Sequence, residues 1–106
     1  MNVRFAAGEI RLRISTPELE LLLAGRKLRL RVALPRLRRF EATLAASSIN
    51  WELASDPTGL WVTVLRSDLE ALAATLPAKE GLAHEFALEA GDVLRLRLEV
   101  DVRKRR

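Results

Sequence analysis

The sequence predicts an α+β fold, a mixed and mostly antiparallel sheet of about eight strands with two short helices on one face, built from a duplicated β-β-α-β-β unit. Three observations carry this. Ile10 to Leu22 aligns without a gap on Leu60 to Leu72, so that apolar positions 10, 12 and 14 fall on 60, 62 and 64 and both stretches then change to helical spacing at Leu19 and Leu69. Period-two alternation also recurs after each of these helices. Gly-, Pro- and Asp-containing turns separate the alternating runs. A small closed β-barrel of two interlocked repeats, with the helices plugging its ends, satisfies the same periodicity. The expected organisation is a single domain over 1–102, with repeat one at 1–47, repeat two at 48–102, and a basic disordered tail at 103–106.

Val3 to Phe5 predicts a short strand, and Ala6-Ala7-Gly8 turns the chain back into a second strand over 9–15. Ser15 or Thr16 caps the first helix, with Pro17 tolerated in its first turn and Glu18 placed for a capping box with Ser15. Leu19, Leu22 and Leu23 share a face and Gly25 stops the helix after two to three turns, too short to persist without packing. Leu28, Leu30, Val32 and Leu34 then alternate with Arg29 and Arg31. Residues 35–37 turn the chain, and Phe40, Ala42 and Leu44 form the inward set of the returning strand.

The second repeat is expected to open on a strand over 49–54, with Ile49, Trp51 and Leu53 on one side, followed by the turn Asp56-Pro57-Thr58-Gly59. Leu60 to Leu65 is apolar on both faces apart from Thr63, which predicts a central strand covered on both sides. Ser67 and Glu70 predict a capping box, and Leu69, Leu72, Ala73 and Leu76 the apolar stripe of a helix that Pro77 ends. Strands over 82–89 and 93–102 flank the turn Ala90-Gly91-Asp92. Strands that flank a helix are expected to run parallel if they share a sheet.

Composition narrows the function. At 106 residues with 49% hydrophobic positions, the chain can bury one modest core. It has no Cys, which removes disulfides, thiolate nucleophiles and Cys-ligated metals and fits a reducing compartment. No long apolar run suggests a membrane span, so the expected location is cytoplasmic. Charge is unevenly placed: residues 1–40 hold ten Lys/Arg against three Asp/Glu, and residues 41–102 hold four against eleven. The net charge of +4 equals that of the last four residues, Arg103, Lys104, Arg105 and Arg106. If the halves lie side by side, facing charges neutralise each other at roughly 0.2–1 kcal/mol per cross-strand pair.

Ile10-Arg11-Leu12-Arg13-Ile14-Ser15-Thr16-Pro17-Glu18 resembles the opening strand and acidic helix start of a family of small, functionally uncharacterised bacterial proteins. The resemblance extends over most of the chain. The end, Leu98-Glu99-Val100-Asp101, departs from the family's closing Val-x-Lys-Asp, and no Cys follows it. The resemblance implies no activity and no site residues.

Catalytic chemistry finds little support. His84 is the only histidine, and with Glu80 and Glu85 nearby it lacks the further ligands that a metal site needs. Ser47-Ser48 has no nucleophile-elbow context, and Ser67 is accounted for as a cap. No enzyme activity, catalytic residue, metal or cofactor is expected. The densest positive region runs from Arg26 to Arg39 without an acidic residue, so Arg29, Arg31, Arg36, Arg38 and Arg39, with Arg103, Lys104, Arg105 and Arg106, are the candidate site for nucleic acid or another polyanion. Self-neutralisation by Glu85, Glu89, Glu99 and Asp101 is the competing account. Trp61 occupies the repeat position of Arg11 and is the candidate interaction residue on the polar face.

The leading functional expectation is a non-enzymatic interaction module that binds itself, as a homodimer, or a protein partner. The alternatives are a sequence-independent nucleic-acid-binding accessory protein and a phosphate-tunnel hydrolase with Arg11, Arg13, Arg29, Arg31, Arg95 and Arg97 turned into a closed lumen.

Overall fold

The computed structural model describes residues 1–36, 38–77 and 80–101. The chain is α+β, with eight strands and two helices in the order β1 (Asn2–Ala6), β2 (Glu9–Ser15), α1 (Thr16–Leu23), β3 (Leu28–Leu34), β4 (Arg38–Ser47), β5 (Glu52–Asp56), β6 (Gly59–Leu65), α2 (Arg66–Ala74), β7 (Leu82–Ala87) and β8 (Val93–Asp101). A single turn of 3-10 helix, Glu89–Gly91, joins the last two strands.

The strands form two four-stranded mixed sheets, ordered β1-β2-β8-β7 and β3-β4-β6-β5. There is neither one eight-stranded sheet nor a closed barrel. Each helix leads from one sheet to the other, so the strands flanking a helix are not neighbours and the condition for their parallel pairing is not met. The parallel pairs are instead β2 with β8 and β4 with β6. Each sheet therefore joins the first hairpin of one repeat to the second hairpin of the other, and the repeats interlock without closing.

Burial explains this choice. Helices of eight and nine residues are too small to cover the apolar face of eight strands. Two sheets cover each other instead: Ile10, Leu12, Ile14, Leu96 and Leu98 of one meet Leu28, Ala42, Leu44, Leu60, Val62 and Val64 of the other in one cluster with Leu19, Leu22 and Leu69. Leu22, Leu44, Val64, Leu69, Leu96 and Leu98 are wholly buried, each such burial stabilising by about 1.5–3 kcal/mol before entropy is charged.

The capping box on α1 forms as expected: the Glu18 amide donates to Ser15 Oγ at 3.2 Å and the Ser15 amide to Glu18 Oε1 at 2.9 Å. That on α2 does not. The helix starts one residue before Ser67, its N-cap is Leu65, and no side chain caps it. The repeat register decides, because Leu65 and Arg66 stand where Ser15 and Thr16 stand in the first copy, and the Arg66 guanidinium donates to the Leu23 carbonyl at the end of α1. Equivalence reaches the contacts before each first strand. The Met1 amine bonds Glu18 Oε2 at 2.6 Å, and the Trp51 indole Nε1 donates to Asp68 Oδ2 at 2.8 Å.

β5 begins at Glu52 rather than at residue 49, in register with Thr63 of β6, and leaves Ile49 82% exposed. β6 has strands on both sides, but its outward face is uncovered: Trp61 is 42% exposed. The outer face of β6 is bare because the helices lie against each other at one end of the sandwich, where they touch both sheets, and not over an outer face.

Candidate interaction surface

The direction of the strands separates two ends. β2 and β6 run toward the helices, and their parallel partners β8 and β4 run the same way. The turns at 6–9, 35–36, 56–59 and 88–92 therefore gather at the opposite end.

Three outward arginines of the first sheet, Arg11, Arg13 and Arg97, are engaged. Arg11 lies 3.5 Å from Glu99 and 3.7 Å from Glu9, Arg97 lies 3.9 Å from Glu9, and Arg13 lies 3.9 Å from Asp101. Parallel pairing of residues 9–15 with 95–101 brings Arg11 and Arg13 of the first half beside Glu99 and Asp101 of the second, so neutralisation occurs between the halves. Solvent-facing pairs of this kind contribute at most about 1 kcal/mol each. These arginines point away from the core, and the inward positions of β2 and β8 hold Ile10, Leu12, Ile14, Leu96 and Leu98. No arginine-lined lumen exists among the described residues.

On the other sheet Arg31 bonds Glu41 at 2.6 Å and Arg29 lies 3.7 Å from the same carboxylate. Two of the five expected cations of the hairpin are thus held by an acid on the next strand, not by the acids of residues 85–101. Arg36, Arg38 and Arg39 are exposed and make no ion pair among the described residues. They sit on the β3–β4 hairpin tip, which projects: β4 pairs with β6 only from Glu41 onward, so Arg38 to Phe40 overhang the central strand. Three residues of strand reach about 10 Å beyond the sheet. Arg103, Lys104, Arg105 and Arg106 lie outside the described residues.

The β7–β8 hairpin projects beside the other sheet in the same manner, since β2 pairs with β8 only from Glu9 with Arg95 onward. Leu28 faces Leu44 on β3–β4, and Leu82 faces Leu98 on β7–β8. Aligned on those pairs, the two tips share a left-handed residue at the same position, with φ of 64° at Arg36 and 62° at Ala90. Their charges are opposite. Arg31 faces Glu41 where Glu85 faces Arg95. Arg38 stands where Asp92 stands, and Glu89 adds a second carboxylate to the acidic tip. Neither Glu89 nor Asp92 has an ion pair among the described residues.

At the β3–β4 side of this end the sandwich is open. Phe5 is 61% exposed, and Val32 and Leu34 are each 43% exposed, although all three lie on the inward side of their strands. Phe5 meets Phe40 across the gap between the sheets at 6.3 Å in an edge-to-face contact. The β3–β4 tip offers a shallow hollow lined by Arg31, Val32, Ala33, Leu34, Arg38 and Arg39.

The remaining candidates are accounted for otherwise. Trp61 lies on the outward face of β6 between Thr43 of β4 and Ala54 of β5, on the other side of its sheet from the open end's apolar lining. His84 stacks on Trp51 at 5.1 Å and packs against Phe86 at 4.8 Å, sealing the second gap between the sheets. No group of three or more potential ligands that could hold a metal occurs among the described residues. Among them, too, no helix is long and apolar enough to cross a membrane.

Two carboxylates titrate low. Asp56 is held below its ordinary range by hydrogen bonds from the Thr58 hydroxyl and amide, which fix the β5–β6 turn. Partial burial opposes ionisation of Glu18, but the Met1 amine and the Ser15 amide outweigh it and hold its carboxyl low.

Sequence reasoning found the basic tip but missed its acidic counterpart. The signal was available: aligning the second hairpins of the two repeats places Arg31 on Glu85 and Arg38 on Asp92. No protein-family model matches the chain, and no curated protein matches it.

Proposed function

We infer that this chain is a non-enzymatic interaction module whose activity is self-association. The observation that carries the reading is the open end of the sandwich, where core-facing Phe5, Val32 and Leu34 lie in water at the projecting β3–β4 hairpin. Large apolar side chains grouped at one place on a small surface mark a binding site more often than scattered ones do. What lies around them supports binding rather than chemistry: the one histidine is stacked in a seam and most outward carboxylates of the first sheet are ion-paired.

Nucleic acid is the second reading, favoured by Arg36, Arg38 and Arg39, which are exposed and make no ion pair among the described residues. It has the weaker support, because the aromatic nearest this tip packs edge-on against another ring and base stacking needs an open ring face.

One experiment separates the two. Untagged protein is run through size exclusion with light scattering over a concentration series, at low and at high salt, with the 260/280 nm absorbance ratio recorded. Self-association gives a mass that rises to twice the chain's 11.9 kDa with a protein-like ratio. A monomer at every concentration and salt refutes it, and a nucleic-acid ratio that collapses with salt transfers support to the second reading.

A further inference from the structure

The partner's geometry is contained in the charge relation of the two tips. Both project from the same end, beside opposite sheets: β3–β4 next to the gap spanned by Phe5 and Phe40, and β7–β8 next to the gap closed by Trp51 and His84. They are equivalent under the internal two-fold of the repeats, which runs along the strands, and that equivalence is broken by sign.

We propose that two copies of this chain dock end to end through their open ends about a two-fold axis perpendicular to the strands, so that each basic β3–β4 tip meets the acidic β7–β8 tip of the partner. Such a rotation exchanges the two flanks of the opening, placing Arg36 and Arg38 of one copy over Glu89 and Asp92 of the other, and the reverse, in one closed contact. The same movement lays the exposed Phe5, Val32 and Leu34 of each basic flank against the partner's acidic flank, where Leu88 and Val93 are exposed, and removes them from water. Any arrangement that kept the flanks in place would set like charge against like, so the charges choose the rotation while the apolar area supplies the affinity. The proposal rests on the self-association reading and specifies its surface and symmetry.

The test exploits the sign. One variant carries Arg36→Glu and Arg38→Glu, making both tips acidic, and a second carries Glu89→Lys and Asp92→Lys, making both basic. All four positions are exposed and without ion pairs among the described residues, so circular dichroism and melting temperature should stay near wild type. Each variant alone should associate at least about 100-fold more weakly than the parent, since like tips now face each other. The equimolar mixture should recover a one-to-one complex with at least the parent's affinity.

A second measurement does not depend on those variants folding. Arg38→Lys keeps the charge and offers an amine, and carbodiimide treatment of a mixture of light and nitrogen-heavy protein should join position 38 of one chain to Glu89 or Asp92 of another. Variants that dimerise alone as well as the parent, or a mixture no tighter than its components, would overturn the tip-to-tip geometry and leave self-association through another surface standing. A parent that never dimerises overturns both.

Discussion

Leu22→Ala in α1 tests whether the repeats are interlocked as the sheet topology requires. Leu22 is wholly buried and belongs to the cluster that holds Leu12 and Leu98 of one sheet and Leu44 and Val62 of the other. Truncating a buried leucine costs about 2.7–5 kcal/mol, the spread reflecting how far the cavity collapses. For 106 residues, an unfolding entropy of about 2.1 cal/mol/K per residue gives about 0.22 kcal/mol/K, so the melting temperature should fall by about 12–22 °C. The informative feature is where that loss is read. Both tryptophans, Trp51 and Trp61, lie in the second repeat, and the cavity lies in the first. If each sheet takes a hairpin from each repeat, thermal unfolding followed by Trp fluorescence and by far-ultraviolet circular dichroism should shift by the same amount and remain coincident. A fluorescence midpoint that stays at the wild-type value while the dichroism becomes biphasic would show that the repeats melt separately, and the exchange of hairpins between sheets would be wrong.

Two further predictions concern backbone packing and charge. A Cβ at Gly81 would stand 1.9 Å from the Leu98 carbonyl oxygen, and backbone in the middle of β8 has no room to retreat. Gly81→Ala should therefore destabilise by at least about 1–3 kcal/mol in a denaturant titration, whereas a loss below 0.5 kcal/mol would show that β7 does not enter its sheet through this close approach. Glu18 is lowered from its ordinary value of 4.5, so the folded state binds fewer protons than the unfolded chain as pH falls through the carboxylate range. Its contribution is complete above the unfolded value and is lost as pH drops toward the folded one. Replacing it, Glu18→Gln, should lower stability at neutral pH and shrink the difference from wild type on acidification; a difference that does not depend on pH would remove the ionised Glu18 from the account.

Much of the local structure was legible because its causes are local. Ser15 and Glu18 form their capping box since three residues suffice to specify it. Alternation placed Leu28, Leu44, Leu96 and Leu98 inward because the side-chain period of a strand is two. The errors fall where a distant partner overrules a local signal. Ser67 carries good cap chemistry, yet α2 begins where β6 ends and where Arg66 can reach the Leu23 carbonyl. Ile49 alternates well with Trp51, yet β5 starts only where β6 offers a register partner. The candidate site divides in the same way. The run of arginines from 26 to 39 was visible as composition, but Arg29 and Arg31 are taken by Glu41, while Arg36, Arg38 and Arg39 on the overhanging tip make no ion pair among the described residues.

By itself the sequence determined the elements, their inward and outward faces, and the duplication, since periodicity, turn chemistry and caps act over a few residues. Only the tertiary structure decided the partners of the strands. A helix leading from β2 to β3 can return to the same sheet or cross to another, and nothing within the helix distinguishes the two. Burial distinguishes them, because two short helices cannot cover eight strands while two sheets can cover each other. That exchange sends the basic hairpin to one sheet and the acidic hairpin to the other and points both tips away from the helices, turning a difference in composition between two stretches of chain into two oppositely charged flanks of one opening.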